Sequence, residues 1–183
     1  MSRFLKIAIS LIILAGFSHA GEKTFKYVGV KACKSCHSSK RRGNQYGIWL
    51  KVPHHDAYKV LATDKAKETA EKMGVTGDPQ KSPKCLKCHT TAYGVDKSLI
   101  APTFKIEDGV QCEACHGPGS AYKKFSIMRK IYQGKLNPAD YGLNPSPDEK
   151  TCKRCHNEEC ANYKTFNFEE FFKKIAHPIP KKG

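Results

Sequence analysis

Cys33-Lys34-Ser35-Cys36-His37, Cys85-Leu86-Lys87-Cys88-His89, Cys112-Glu113-Ala114-Cys115-His116 and Cys152-Lys153-Arg154-Cys155-His156 repeat one pattern in a chain of 183 residues. Cys-x-x-Cys-His is the attachment site of c-type haem: two thiols add to the porphyrin vinyl groups, and the adjacent His becomes the proximal iron ligand. Cys33, Cys36, Cys85, Cys88, Cys112, Cys115, Cys152 and Cys155 then read as covalent attachment points. His37, His89, His116 and His156 read as the proximal ligands of four covalently attached haems. Zinc knuckles and disulfides also use paired cysteines, but neither requires a His after every second Cys. His is 8 of 183 residues, so four chance placements at that offset have odds on the order of 10⁻⁶, which favours haem.

Residues 1–20 have the plan of a secretory signal. Arg3 and Lys6 precede an apolar run over residues 7–17, and Ser18-His19-Ala20 ends in a small residue suited to cleavage. The run is about half the ~20 residues needed to span a bilayer, so a cleaved signal is expected rather than a membrane anchor. Residues 21–183 then form one exported tetrahaem domain, with no stable transmembrane segment. The expected location is the periplasm, with the outer cell surface or the extracellular space as further stations.

The charge is strongly basic, 32 Lys+Arg against 17 Asp+Glu. Such a balance suits nucleic acid, but an exported protein rarely meets it, so no nucleic-acid partner is expected. Ionised haem propionates would offset about eight positive charges. The remaining excess suits steering toward redox donors and acceptors with acidic docking surfaces, or an ordinary solvated surface.

Helix signals outweigh strand signals. Residues 56–73 are mostly good helix formers, with Gly74 as a stop. Phe168, Phe171, Phe172 and Ile175 recur at i, i+3, i+4 and i+7, and Asn167 with Glu170 resembles a capping box. Residues 74–83 and 134–147 read as loops, Gly117-Pro118-Gly119 as a sharp turn, and residues 97–110 allow at most a short hairpin. The fold class is therefore mainly α: a loop-rich multihaem cytochrome with little β, organised around its cofactors. Apolar residues are sparse outside residues 1–20, so the haem cluster is expected to be the core.

The sixth iron position decides each haem's work: a second strong ligand suits electron transfer, and a vacant position admits a small molecule. Setting aside His19 and the four proximal residues, His54, His55 and His177 remain for four irons. At least one haem then takes another ligand, an open site, or a ligand from another chain. Met73 and Met128 are the thioether candidates. His54 and His55 follow Pro53, which suits a helix start; adjacent helical residues point about 100° apart, so the two do not readily serve one iron. His177 precedes Pro178, where the Phe-rich helix should end. Cys160 has no partner, and reads as a buried inert thiol or as a link between chains. Trp49 suits a porphyrin face or the core.

From about Val30 to the C-terminus the chain resembles the tetrahaem cytochrome c-554 family. The resemblance rests on Gly109-Val110-Gln111-Cys112-Glu113-Ala114-Cys115-His116-Gly117-Pro118-Gly119, on the Trp49…His54…Ala57 spacing, and on a Phe/Lys-rich terminal helix ending at His177. It implies a largely helical periplasmic electron carrier. It implies that His54 serves the third haem and His177 the fourth, and that the second haem has no distal protein ligand. The family also has a His shortly after His-Gly-Pro-Gly that ligates the first haem; residues 120–128 contain none. His55, Met128 or another subunit is left for that place.

Three functions follow. The leading one is transfer of single electrons between respiratory redox partners, with no catalytic residues. The alternatives are reduction of nitric oxide, hydroxylamine or a similar molecule at an open haem, and a subunit of a homo-oligomeric filament that conducts through its haems.

Overall fold

The computed structural model describes residues 23–179; the expected signal at residues 1–20 lies outside them. The described chain is mainly helical, built of short helices joined by 3-10 turns and loops. In chain order the helices are α1 (Val30–His37), α2 (Gln45–Trp49), α3 (Asp64–Lys72), α4 (Pro83–His89), α5 (Cys112–His116), α6 (Phe125–Tyr132), α7 (Glu149–Lys153) and α8 (Phe168–Ile175). Each of α1, α4 and α5 ends on the His of a motif. The fourth motif begins in α7 and completes its turn through bonds from the amides of Cys155 and His156 to the Cys152 carbonyl, 3.2 and 3.1 Å. One helical turn explains this shared design, because Cys at i and i+3 and His at i+4 lie on one face.

The expected helix over residues 56–73 is interrupted. Residues Pro53–Asp56 and Lys59–Ala62 are 3-10 turns, and the α-helix begins only at Asp64. Thr63 is the cause: its backbone is extended and its hydroxyl accepts from the Ala66 amide at 3.2 Å, so it caps a new helix. The stop at Gly74 is as expected. That residue is left-handed (φ +65°), and the Val75 amide reaches back to the Ala70 carbonyl at 2.8 Å. Helix α8 also matches its signal, with Asn167 accepting from the Glu170 amide at 3.1 Å. Glu170 itself turns to Lys174, 2.7 Å away, rather than back to the cap.

No hairpin forms over residues 97–110. Short 3-10 turns occupy Lys97–Leu99 and Ile106–Asp108, and the segment instead makes a single parallel bridge between Ile100 and Tyr27. Asp96 directs this outcome by accepting from the Ser98 amide at 2.7 Å, which curls the chain.

Among the described residues the buried apolar side chains are few: Val28, Val30, Leu61, Ala70, Val75, Leu86 and Tyr122. Polar ties do much of the joining around α5. The Glu113 side chain, 1% exposed, accepts from the amides of Val28 (2.9 and 3.1 Å to its two oxygens), Gly29 (2.7 Å) and Gly119 (2.6 Å). Gln111 accepts from the Val30 amide at 2.7 Å and donates to the Lys105 carbonyl at 2.8 Å. Gly109 (φ +70°) lets this segment meet residues 54–57: a Cβ there would lie 2.9 Å from the His54 carbonyl oxygen.

Candidate haem sites

The eight motif cysteines are each partly exposed, and no disulfide joins them. No three His, Cys, Asp or Glu side chains among the described residues gather as a metal-ion site. The motifs instead meet in pairs. The Cys33 and Cys112 thiols lie close enough to interact, which pushes Cys33 far up and pulls Cys112 down. The Cys88 and Cys155 thiols interact in the same way, which pulls Cys88 down to about 7 and raises Cys155. Cys115, pushed up to about 11 first by burial, also feels Cys152, and the Arg154 guanidinium donates to the Ala114 carbonyl. Contacts therefore run from the first motif to the third, from the third to the fourth, and from the fourth to the second. The spatial order is one, three, four, two.

The proximal candidates are held as iron ligands need to be. His37 Nδ1 meets Gln45 Oε1 at 3.0 Å, His89 Nδ1 meets the Ala57 carbonyl at 2.6 Å, and His116 Nδ1 meets the Asn144 carbonyl at 2.8 Å. An Nδ1–H bond to a carbonyl fixes the ring and leaves Nε2 for metal. His156 is held differently, its ring stacked on Phe166 at 4.9 Å and 18°.

Two of the three distal candidates face a proximal ring. His54 and His156 have ring centroids 5.9 Å apart, and His177 and His116 are 5.6 Å apart. A metal–imidazole bond is about 2 Å, so rings on opposite sides of one iron have centroids roughly 6 Å apart. Both pairs fit. Burial lowers the basicity of His54 and His116, and partial desolvation does the same for the more exposed His156 and His177, which favours the neutral imidazole that binds metal. The pairing is the reverse of what the resemblance implied: His54 faces the fourth motif and His177 the third. The cause is the path of the chain. The 53–56 turn is fastened beside the second motif through the Ala57–His89 bond, and the second motif adjoins the fourth. The segment after α8 is fastened to the first motif by Gln45, which donates to the Pro178 carbonyl at 2.9 Å, and the first motif adjoins the third.

His55 meets no motif His. Its ring lies edge-on to Trp49 at 4.7 Å, and Nδ1 approaches Asp56 at 3.1 Å without a well-aligned hydrogen bond. Trp49 donates to the Val110 carbonyl at 2.8 Å and so clamps residues 53–57 onto the segment leading into the third motif. The Trp49…His54…Ala57 spacing thus has three separate uses: a clamp, an imidazole facing His156, and an acceptor for His89. Met73 ends α3, its carbonyl accepting from Lys84 at 3.2 Å, and Met128 lies half-buried on α6. Cys160 is exposed, so the reading of it as a buried thiol is overturned; the Asn157–Glu159 turn carries it outward.

Gln45, Glu113 and Asn144 carry parts of this site that sequence reasoning missed. Glu113 alone left a signal: it is the acid between two motif cysteines where the other motifs have Ser, Leu, Lys or Arg. A cleft of about 400 Å³ opens beside His156, lined by Lys153, Asn157, Glu158, Glu159 and Tyr163. The larger cleft, about 640 Å³, is lined by residues such as Tyr93, Phe104 and Lys105 and contains no Cys or His.

Residues 32–117 match the protein family described as cytochrome c554 and c-prime. The chain is 28% identical over 199 residues to cytochrome c-554 of Nitrosomonas europaea, covering 92% of this chain and 81% of that protein. The solved reduced state of cytochrome c554 from Nitrosomonas europaea superimposes with a TM-score of 0.52 at 23% identity, over 83% of this chain and 79% of that one. The fold is that of cytochrome c554.

Proposed function

From the match of residues 32–117 to the cytochrome c554 family and the likeness to cytochrome c-554, we propose that the chain is a member of that family and that residues 21–183 form an exported tetrahaem carrier passing single electrons between respiratory redox proteins. The observation that carries the reading is the pairing of imidazoles, His54 with His156 and His177 with His116, within a continuous series of motif contacts. Bound haem supplies reversible one-electron chemistry whose potential follows from its axial ligands and surroundings. The eight motif cysteines would anchor it. The four motif histidines would ligate its iron, with Gln45 and the carbonyls of Ala57 and Asn144 orienting three of them. His54 and His177 would supply second imidazoles at the fourth and third motifs. The secretory signal at residues 1–20 carries the chain to the compartment where haem is attached, and no helix among the described residues is long and apolar enough to cross a membrane.

The test is a haem count joined to a redox titration of the purified protein. Four haems per chain and four one-electron equivalents, taken up and returned reversibly, support the reading. A smaller count, or irreversible reduction, would sink it.

One observation favours the second reading, chemistry at an open iron. Among the described residues the ring contacts of His54 and His177 are to His156 and His116, not to His37 or His89, although His37 is near enough to lower the basicity of His177; His55 is engaged with Trp49. Two irons would then lack a distal imidazole from this chain. Carbon monoxide titration of the reduced protein should reach two equivalents. No binding at all would remove this reading and leave the carrier intact.

A further inference from the structure

The motif order puts the first motif at one end of the series and the second at the other, and the surfaces of these ends differ in charge. Residues 31–51, which carry the first motif, contain six Lys or Arg and no Asp or Glu; residues 120–137, which carry α6, contain five and none. The two segments adjoin, with the Arg42 guanidinium over the Phe125 ring at 5.4 Å. Lys34, Lys40, Arg41, Lys124 and Lys130 are exposed there. Every ion pair seen among the described residues lies elsewhere. At the other end the second motif's Lys87 pairs with Glu159, and Lys81, just before that motif, approaches Asp78 at 3.7 Å.

We propose that this acid-free face over the first motif is the docking surface for an acidic one-electron redox protein, so that electrons cross to or from partners at the first-motif end. The inference rests on the carrier reading above. Charge complementarity of this kind acts mainly on encounter: steering raises the association rate and fades with ionic strength, while rim charges add little lasting affinity. A solvated basic surface has no reason to concentrate at one end.

The experiment compares electron uptake by the holoprotein from two donors in stopped flow. Photoreduced flavodoxin is acidic and protein-sized; the lumiflavin semiquinone is small and uncharged. Two charge-reversed variants alter the face, K40E/R41E and K124E/K130E. A third, K65E/K72E on α3, changes net charge equally at another place. Flavodoxin rates at low salt should fall on the order of tenfold in each face variant and much less in the α3 variant, with a shallower salt dependence. Lumiflavin rates should stay unchanged. Equal slowing in all three variants, or in none, would overturn the docking face while leaving the carrier reading in place. Failure of both donors to reduce the wild type would overturn the carrier reading itself. Binding to phosphatidylglycerol vesicles is measured in parallel; loss of that binding in the face variants, with flavodoxin rates unmoved, would assign the face to anionic lipid and reject the proposal.

Discussion

At the scale of single residues, three remaining imidazoles have three different surroundings, and their variants should separate cleanly. His54→Ala and His177→Ala should each convert one low-spin ferric haem to high spin, and the double variant two, read by electron paramagnetic resonance; added imidazole should restore the low-spin signal. His55→Ala should convert none, because its ring faces Trp49. A gain of high-spin signal in His55→Ala would refute the assignment. Partner identity is tested by non-additivity. Two changes at one site couple, and changes at independent sites add. His54→Ala should couple with His156→Met and add with His116→Met. Glu113 is a different case, a carboxylate taken out of water to fasten three amides. Burial raises its pKa, against the pull of the Val28, Gly119 and Gly29 amides. Glu113→Gln leaves one oxygen and presents an NH₂ to an amide donor. An unsatisfied buried polar group costs about 1–3 kcal/mol, so the urea midpoint of the holoprotein should fall with the haem count unchanged.

At the scale of elements, α8 shows what the sequence contained and what it did not. Its Phe spacing and Asn167 cap are local facts, legible before any coordinates, and the helix formed where they put it. The proximal motifs are equally local, since a single helical turn brings two Cys and one His to one face. Which iron His177 serves is not local. It depends on Gln45, 133 positions from Pro178, and on the meeting of the first and third motifs. The 53–57 turn failed in the same way: Pro53 announced a helical start, but the partner of His54 was set by Ala57 and Val110 reaching other motifs. The resemblance implied the opposite pairing from the ring contacts, since it carried residue types without contacts. Helix α8 also yields a prediction. Asn167→Ala removes an exposed cap worth about 1 kcal/mol. The last element before His177 should then fray, and cyanide should enter at the third motif faster than in wild type. An unchanged rate would mean that Gln45 alone holds this segment.

For the molecule as a whole, the sparse apolar interior and the order of the motifs lead to one consequence. Seven buried apolar side chains among the described residues, scattered from Val28 to Tyr122, do not make the continuous core that a chain of this length ordinarily builds. Cofactor attachment then supplies folding free energy, as a structural metal does in small domains. The chain produced without haem attachment should show no cooperative thermal transition and a flat near-ultraviolet circular dichroism spectrum. The motifs should not contribute equally. The fourth touches both neighbours, through Cys88–Cys155 and through Arg154 and the third-motif Ala114 carbonyl, whereas the contacts seen for the first motif run to the third. Cys152→Ser/Cys155→Ser should therefore lower the melting temperature more than Cys33→Ser/Cys36→Ser, each losing one haem by mass. The end lesion should leave three haems whose mutual spectral shifts are retained; the central lesion should separate the second from the first and third. Equal loss of stability in the two variants would contradict the order one, three, four, two, because a compact cluster without ends would feel each removal alike.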